Sequence, residues 1–99
     1  MANLSSTQRR QLRARAHGLD PVVIIGSGGL SAAVLAEIER NLAAHELIKI
    51  RAPDVTREDR ESLLEAICRK TGAAPVQHIG KMLVVFRKAP DAGGRTCNS

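Results

Sequence analysis

Leu12, Ala16 and Leu19 recur at helical spacing behind a Ser5/Gln8 capping-box pair, which predicts a first helix of about three turns. Gly18 weakens the end of that helix and Asp20-Pro21 breaks the chain. Val22-Val23-Ile24-Ile25 is a β-branched run of the kind expected in a strand buried on both faces. Gly26-Ser27-Gly28-Gly29 ends it. Ser31 then caps a second helix, with Val34, Leu35, Ile38 and Leu42 as its apolar stripe. Leu47-Ile48-Lys49-Ile50-Arg51 alternates toward its end as a half-exposed strand does, and Ala52-Pro53-Asp54 stops it. Thr56 caps a third helix that turns Leu63, Leu64, Ile67 and Cys68 inward, and Gly72 suits the left-handed residue that ends many helices. Two short strands, Pro75 to Ile79 and Met82 to Arg87, are joined by Gly80-Lys81, whose leading glycine suits a type II′ turn.

The order helix, strand, helix, strand, helix, strand, strand predicts an α/β fold. It is a two-layer sandwich of helices on a mixed four-stranded sheet. A chain of 99 residues is about one domain and buries roughly 60 to 65% of its unfolded surface, so one core of Val, Ile and Leu is expected. Residues 1–88 read as that domain. Residues 89–99, rich in Gly and polar side chains, read as a flexible tail. No apolar run approaches the roughly 20 residues of a membrane span. Met1 to Ser5 has no basic region leading into an apolar stretch, so no secretion signal is expected and the expected compartment is the cytoplasm. Cys68 and Cys97 form neither a CxxC pair nor a disulfide framework, and both are expected to be inert.

Charge changes the picture. The net charge of +5 and a pI near 10.0 point to a polyanionic partner, nucleic acid first. A membrane surface is disfavoured, because it would call for a basic amphipathic helix with large anchors, and Phe86 is the sole aromatic residue. In the first helix Arg9, Arg13 and His17 stack at i, i+4, i+8 with Arg10 beside them, where each like-charge pair costs a few tenths of a kcal/mol. Lys49, Arg51, Lys81, Arg87 and Lys88 add charge at strand ends and in the hairpin, whereas the second and third helices mix signs. With one aromatic residue, base stacking on aromatic rings cannot dominate. Recognition of a folded RNA through its backbone is the mode left open.

The glycine turn lets a ligand approach the backbone closely, and the helix that follows presents unpaired N–H groups with no carboxylate in its first turn, chemistry suited to a phosphate. It is not a P-loop, since Ser31 and Ala32 stand where that motif needs Gly-Lys, and it matches a dinucleotide fingerprint only in part. No nucleophile with a base is evident. His17, His45 and His78 lack metal-ligand spacing, and His45, at the end of the second helix, stands where a basic ring suits the macrodipole. Neither catalytic residues, a metal, a cofactor nor a small-molecule substrate is expected.

Leu4-Ser5, the run Pro21 to Ser31, Glu46 to Ile50, Thr71-Gly72, Ile79-Gly80-Lys81 and Val85-Phe86-Arg87 form an ordered set. With it the chain resembles the CRM domain (chloroplast RNA splicing and ribosome maturation) in its bacterial stand-alone, YhbY-like form. The resemblance implies a fold similar to the C-terminal domain of bacterial translation initiation factor three, RNA binding, and association with precursors of the large ribosomal subunit; the plant relatives act in intron splicing. The family's G-x-x-G loop maps onto Gly26, Ser27, Gly28 and Gly29, and its basic strand surface onto Lys49, Arg51, Lys81 and Arg87. Many relatives carry a basic residue inside the loop; here Ser27-Gly28 leaves the loop its backbone N–H groups. With Arg9, Arg10 and Arg13 added, these residues make up the expected RNA-binding set, on a protein expected to be a monomer and to act on ribosomal RNA. The alternative is a protein-interaction module that docks on a ribosomal protein, with RNA contact secondary.

Overall fold

The computed structural model describes residues 4–88, so the expected tail, with Cys97, lies outside the described residues. The elements are α1 (Ser6–Ala16), β1 (Val23–Ile24), α2 (Ala32–His45), β2 (Leu47–Arg51), α3 (Arg57–Thr71), β3 (Ala74–Ile79) and β4 (Met82–Phe86). Local chemistry sets their ends. Ser5 Oγ accepts from the Gln8 amide at 3.1 Å while Gln8 Oε1 accepts from the Ser5 amide at 3.0 Å, the reciprocal box read from the sequence. Ser31 and Thr56 cap α2 and α3 through their hydroxyls, Gly72 ends α3 at φ +75°, and Gly80 opens the β3–β4 hairpin at φ +54°. α2 ends without a glycine, on Glu46 at φ +66°.

The sheet order is β1-β2-β4-β3, with β1 parallel to β2 and the other pairs antiparallel. Side chains alternate across it. Ile48 and Ile50 of β2, Leu83 and Val85 of β4, and Val23 and Ile25 meet Ile38 and Leu42 of α2 and Ile67 and Cys68 of α3. Leu47, Val84 and Val76 emerge on the opposite face and pack with Leu12 and Ala16 of α1, with Leu4 and Phe86 at the margin. The expected sandwich of helices on one sheet holds for α2 and α3, and α1 adds a partial third layer. The single expected core is accordingly two. The larger is the main source of stability, since a fully buried Ile or Leu contributes roughly 1.5–3 kcal/mol.

Two sequence expectations fail at the first strand. Val23 and Ile25 are buried, but Val22 is 43% and Ile24 65% exposed, so the run is not covered on both sides. β1 is an edge strand, and α1 lies across β2, β4 and β3 instead. Leu19 is not on the helix either. α1 stops at Ala16, the Leu19 amide bonds to the Ala16 carbonyl at 3.0 Å, and the side chain is 38% exposed. Pro75 sits in β3, an edge strand where a missing N–H is tolerated, beside a register shift between Pro75 and Gln77.

Burial pushes the Cys68 thiol from an ordinary 9.0 up to about 11. Labelling by a thiol reagent at pH 8, mapped by mass spectrometry, should therefore leave Cys68 unmodified in the folded protein and modify it in denaturant. The unfolded thiol loses its proton first, so this residue's contribution to stability should decline as pH rises from about 9 toward 11.

Candidate functional site

The glycine turn is fixed at both ends. The Ile25 amide bonds to the Arg51 carbonyl at 2.9 Å, tying the end of β1 to the end of β2, and the Gly29 amide bonds to the Gly26 carbonyl at 3.0 Å. Gly29, at φ +74°, holds the left-handed position that closes the turn. Gly26 and Gly28 are different. Neither has a left-handed φ, and a Cβ built on either would meet no heavy atom within 4 Å. Neither conformation nor internal packing requires glycine there, so a side chain would fill only the open space in front of the loop. Ser31 Oγ takes the Val34 amide at 3.2 Å, the first turn of α2 has no acid, and the Ala32 and Ala33 amides are its remaining first-turn donors.

Topology brings two cations to this loop. Parallel pairing places the end of β1 beside the end of β2, and the register Arg51↔Met82 sets the β3–β4 turn next to both. One hollow is lined by Ile24, Gly26 and Ser27 together with Arg51, Pro53, Asp54 and Lys81. Lys81 is not free in it. Its Nζ lies 3.2 Å from Asp54 Oδ1, an ion pair in which both groups remain substantially exposed. Gly29 faces a neighbouring hollow with Ser27, Leu30 and Asp59.

Lys49 lies two residues before Arg51, hence on the same face of the sheet, where α1 has not covered it. Helical geometry relates α1 to this open half. Arg15 lines one hollow with Gln8, Gln11 and Phe86 and another with Lys49, while Arg9, Arg13 and His17 lie on the opposite flank of α1. Arg10 lies farther round and is exposed. The open half also bears apolar groups, Ile24 and the 59% exposed Ile79.

Of the residues singled out in the sequence, Arg87 does not join this surface. Its Nη1 donates to both Glu39 carboxylate oxygens, at 2.7 and 3.0 Å, and to the Thr71 carbonyl at 2.8 Å, and the side chain is 24% exposed. Its charge is engaged in clamping α2 and α3 to β4. The pairing of Asp54 with Lys81 and the position of Arg15 were not recognised from the sequence; the partners of the first lie 27 positions apart, and no spacing rule links them. His78 accepts from Arg60 Nε at 3.4 Å. Among the described residues no cluster of His, Cys, Asp and Glu could hold a metal ion. Two cations beside open backbone donors can hold a phosphate.

Comparison with known proteins gives a consistent picture. The profile of the CRS1 / YhbY (CRM) domain matches residues 4–87. A Haemophilus influenzae protein named as RNA-binding is 46% identical over 92 residues, covering 93% of each chain. A Pseudomonas aeruginosa protein named as a probable RNA-binding protein is 44% identical over 87 residues, 88% of this chain and 84% of the other. The solution structure of a Staphylococcus aureus protein, described as a candidate RNA binder, superposes with a TM-score of 0.81 at 33% identity, covering 92% of this chain and 95% of that one.

The clamp makes a prediction of its own. Arg87→Ala should lower folding stability by about 2 kcal/mol in urea denaturation, because it removes charge-assisted bonds and leaves the Thr71 carbonyl without this donor. Glu39→Ala should reproduce part of that loss.

Proposed function

Because the chain belongs to the CRS1 / YhbY (CRM) domain family, we propose that it binds ribosomal RNA in precursors of the large ribosomal subunit and assists assembly of that subunit in the cytoplasm. The glycine loop and Arg51 with Lys81 hold one phosphate, while Lys49, Arg9, Arg13 and Arg10 neutralise its neighbours. The observation that carries this reading is Gly26, where a Cβ would meet nothing within 4 Å and which lines one hollow with Arg51 and Lys81. Names of matched relatives, all given for RNA binding, support the ligand class. Contact is to the backbone. Phe86 packs at the margin of the α1 core, so it is not presented as a stacking platform. No catalytic role is assigned.

Ile24 and Ile79, exposed on the same open half, favour a second reading, docking on a ribosomal protein. Sedimentation of a lysate through a low-salt gradient tests the first. The protein should travel with large-subunit precursor RNA and return to the top after nuclease treatment; persistence in a nuclease-resistant protein complex would favour docking. Binding to naked ribosomal RNA should weaken with salt at a log-log slope of about −3.5 to −4.5 if five phosphates are covered, and a slope near zero would remove the electrostatic reading.

Asp54 competes with phosphate for Lys81. Asp54→Asn should raise affinity for that RNA by about two- to fivefold, measured by filter binding at constant salt, because an exposed ion pair is weak but its carboxylate also repels the ligand.

A further inference from the structure

A second hollow, of about 390 Å³, opens where the chain passes from α1 into β1. Its volume lies within the ~300–1,000 Å³ of small-ligand sites. Leu19 and Val22 supply apolar walls and Leu47 contributes to the lining. Leu19 and Val22 are among the large apolar side chains that the fold leaves exposed, and no described element covers them. The polar lining is basic in balance: Arg15, Lys49 and His45 stand against Asp20. Lys49 lies two residues before Arg51 in β2 and so shares its face of the sheet.

We infer that this hollow receives one unpaired nucleotide of the bound RNA, its base against Leu19 and Val22 and its phosphate on Arg15 and Lys49. The inference rests on the RNA-binding reading above and deepens it, by making the preferred ligand a helix interrupted by an unpaired residue. An apolar recess with a cationic lining complements a nucleotide, which joins a flat apolar face to an anion. In a chain with one aromatic residue, packed at the edge of the α1 core, the plane of the Arg15 guanidinium takes the place of a stacking ring. The Asp20 carboxylate accepts from an exocyclic amino group and so favours a base that has one.

Two RNA hairpins of equal stem length test this, one fully paired and one with a single bulged 2-aminopurine or adenosine, titrated with the full chain. The bulged hairpin should bind about tenfold more tightly, with a change in 2-aminopurine fluorescence on binding. Arg15→Gln and Leu19→Asp, both at exposed positions outside the two cores, should each abolish that preference while weakening binding of the paired hairpin by no more than about threefold. Circular dichroism verifies that each variant is folded. Arg51→Ala with Lys81→Ala should instead weaken both hairpins alike. Equal affinity of the unaltered protein for the two hairpins, or a preference that survives in both folded variants, overturns the hollow as a nucleotide site and leaves RNA binding standing. Failure to bind either hairpin overturns both.

Discussion

β2 and β4 are inner strands whose side chains enter apolar cores on both faces of the sheet, and all three helices are positioned by one face or the other. Ile48, Ile50, Leu83 and Val85 seat α2 and α3; Leu47 and Val84 seat α1. Strand alternation then determines where charge emerges. Lys49 and Arg51 share a face with Leu47, so both cations come out on the side of the sheet that α1 packs on, Arg51 at the end where β1 gives way to the glycine turn. The basic surface follows from the same two-residue period that builds the cores.

Positive charge in this protein divides into two populations. Arg87 with Glu39, and Arg57 with Glu61, are paired within the molecule, and Arg60 donates to His78. These lie on or against α2 and α3. Among the described residues Arg51 and Lys49 have no acid partner, and Lys81 shares an exposed one. Arg40, Arg69 and Lys70, also on α2 and α3, make no ion pair among the described residues, so the division separates cations that brace the fold, Arg87 above all, from cations left to solvent or a ligand.

Much of the architecture was legible because its signals are local. Ser5 with Gln8, Ser31, Thr56, Gly72 and Gly80 each act within four residues of where they stand, and each marks a boundary the fold respects. Val22 to Ile25 misled because a β-branched run fits an edge strand half bare as well as an inner one, and coverage depends on where α1 lies across the sheet. β2 was read as half exposed, yet Leu47 and Ile48 are both buried, because a helix lies on each side. At the site, the loop with Arg51 and Lys81 follows from strand pairing. Arg87 could not be sorted from them by sequence, since its partner Glu39 is 48 positions away. Arg15 carried no pattern that set it apart from Arg13 until the turn at Gly18 brought Leu19 and Val22 alongside it.

The two cores are unequal, and α1 is bound to the sheet by the smaller one, with Leu12 and Ala16 as its buried residues. Local opening free energies scale with such burial, so α1 can lift away as a unit while the β-sheet, α2 and α3 stay folded, and its amide hydrogens exchange through that opening. A phosphate chain lying across Arg9 or Arg13 and Lys49, as proposed above, would tie α1 to the sheet. Ligand binding then acts as a cross-link between them, closing an opening equilibrium intrinsic to the fold, and part of the binding free energy appears as rigidity of the first helix.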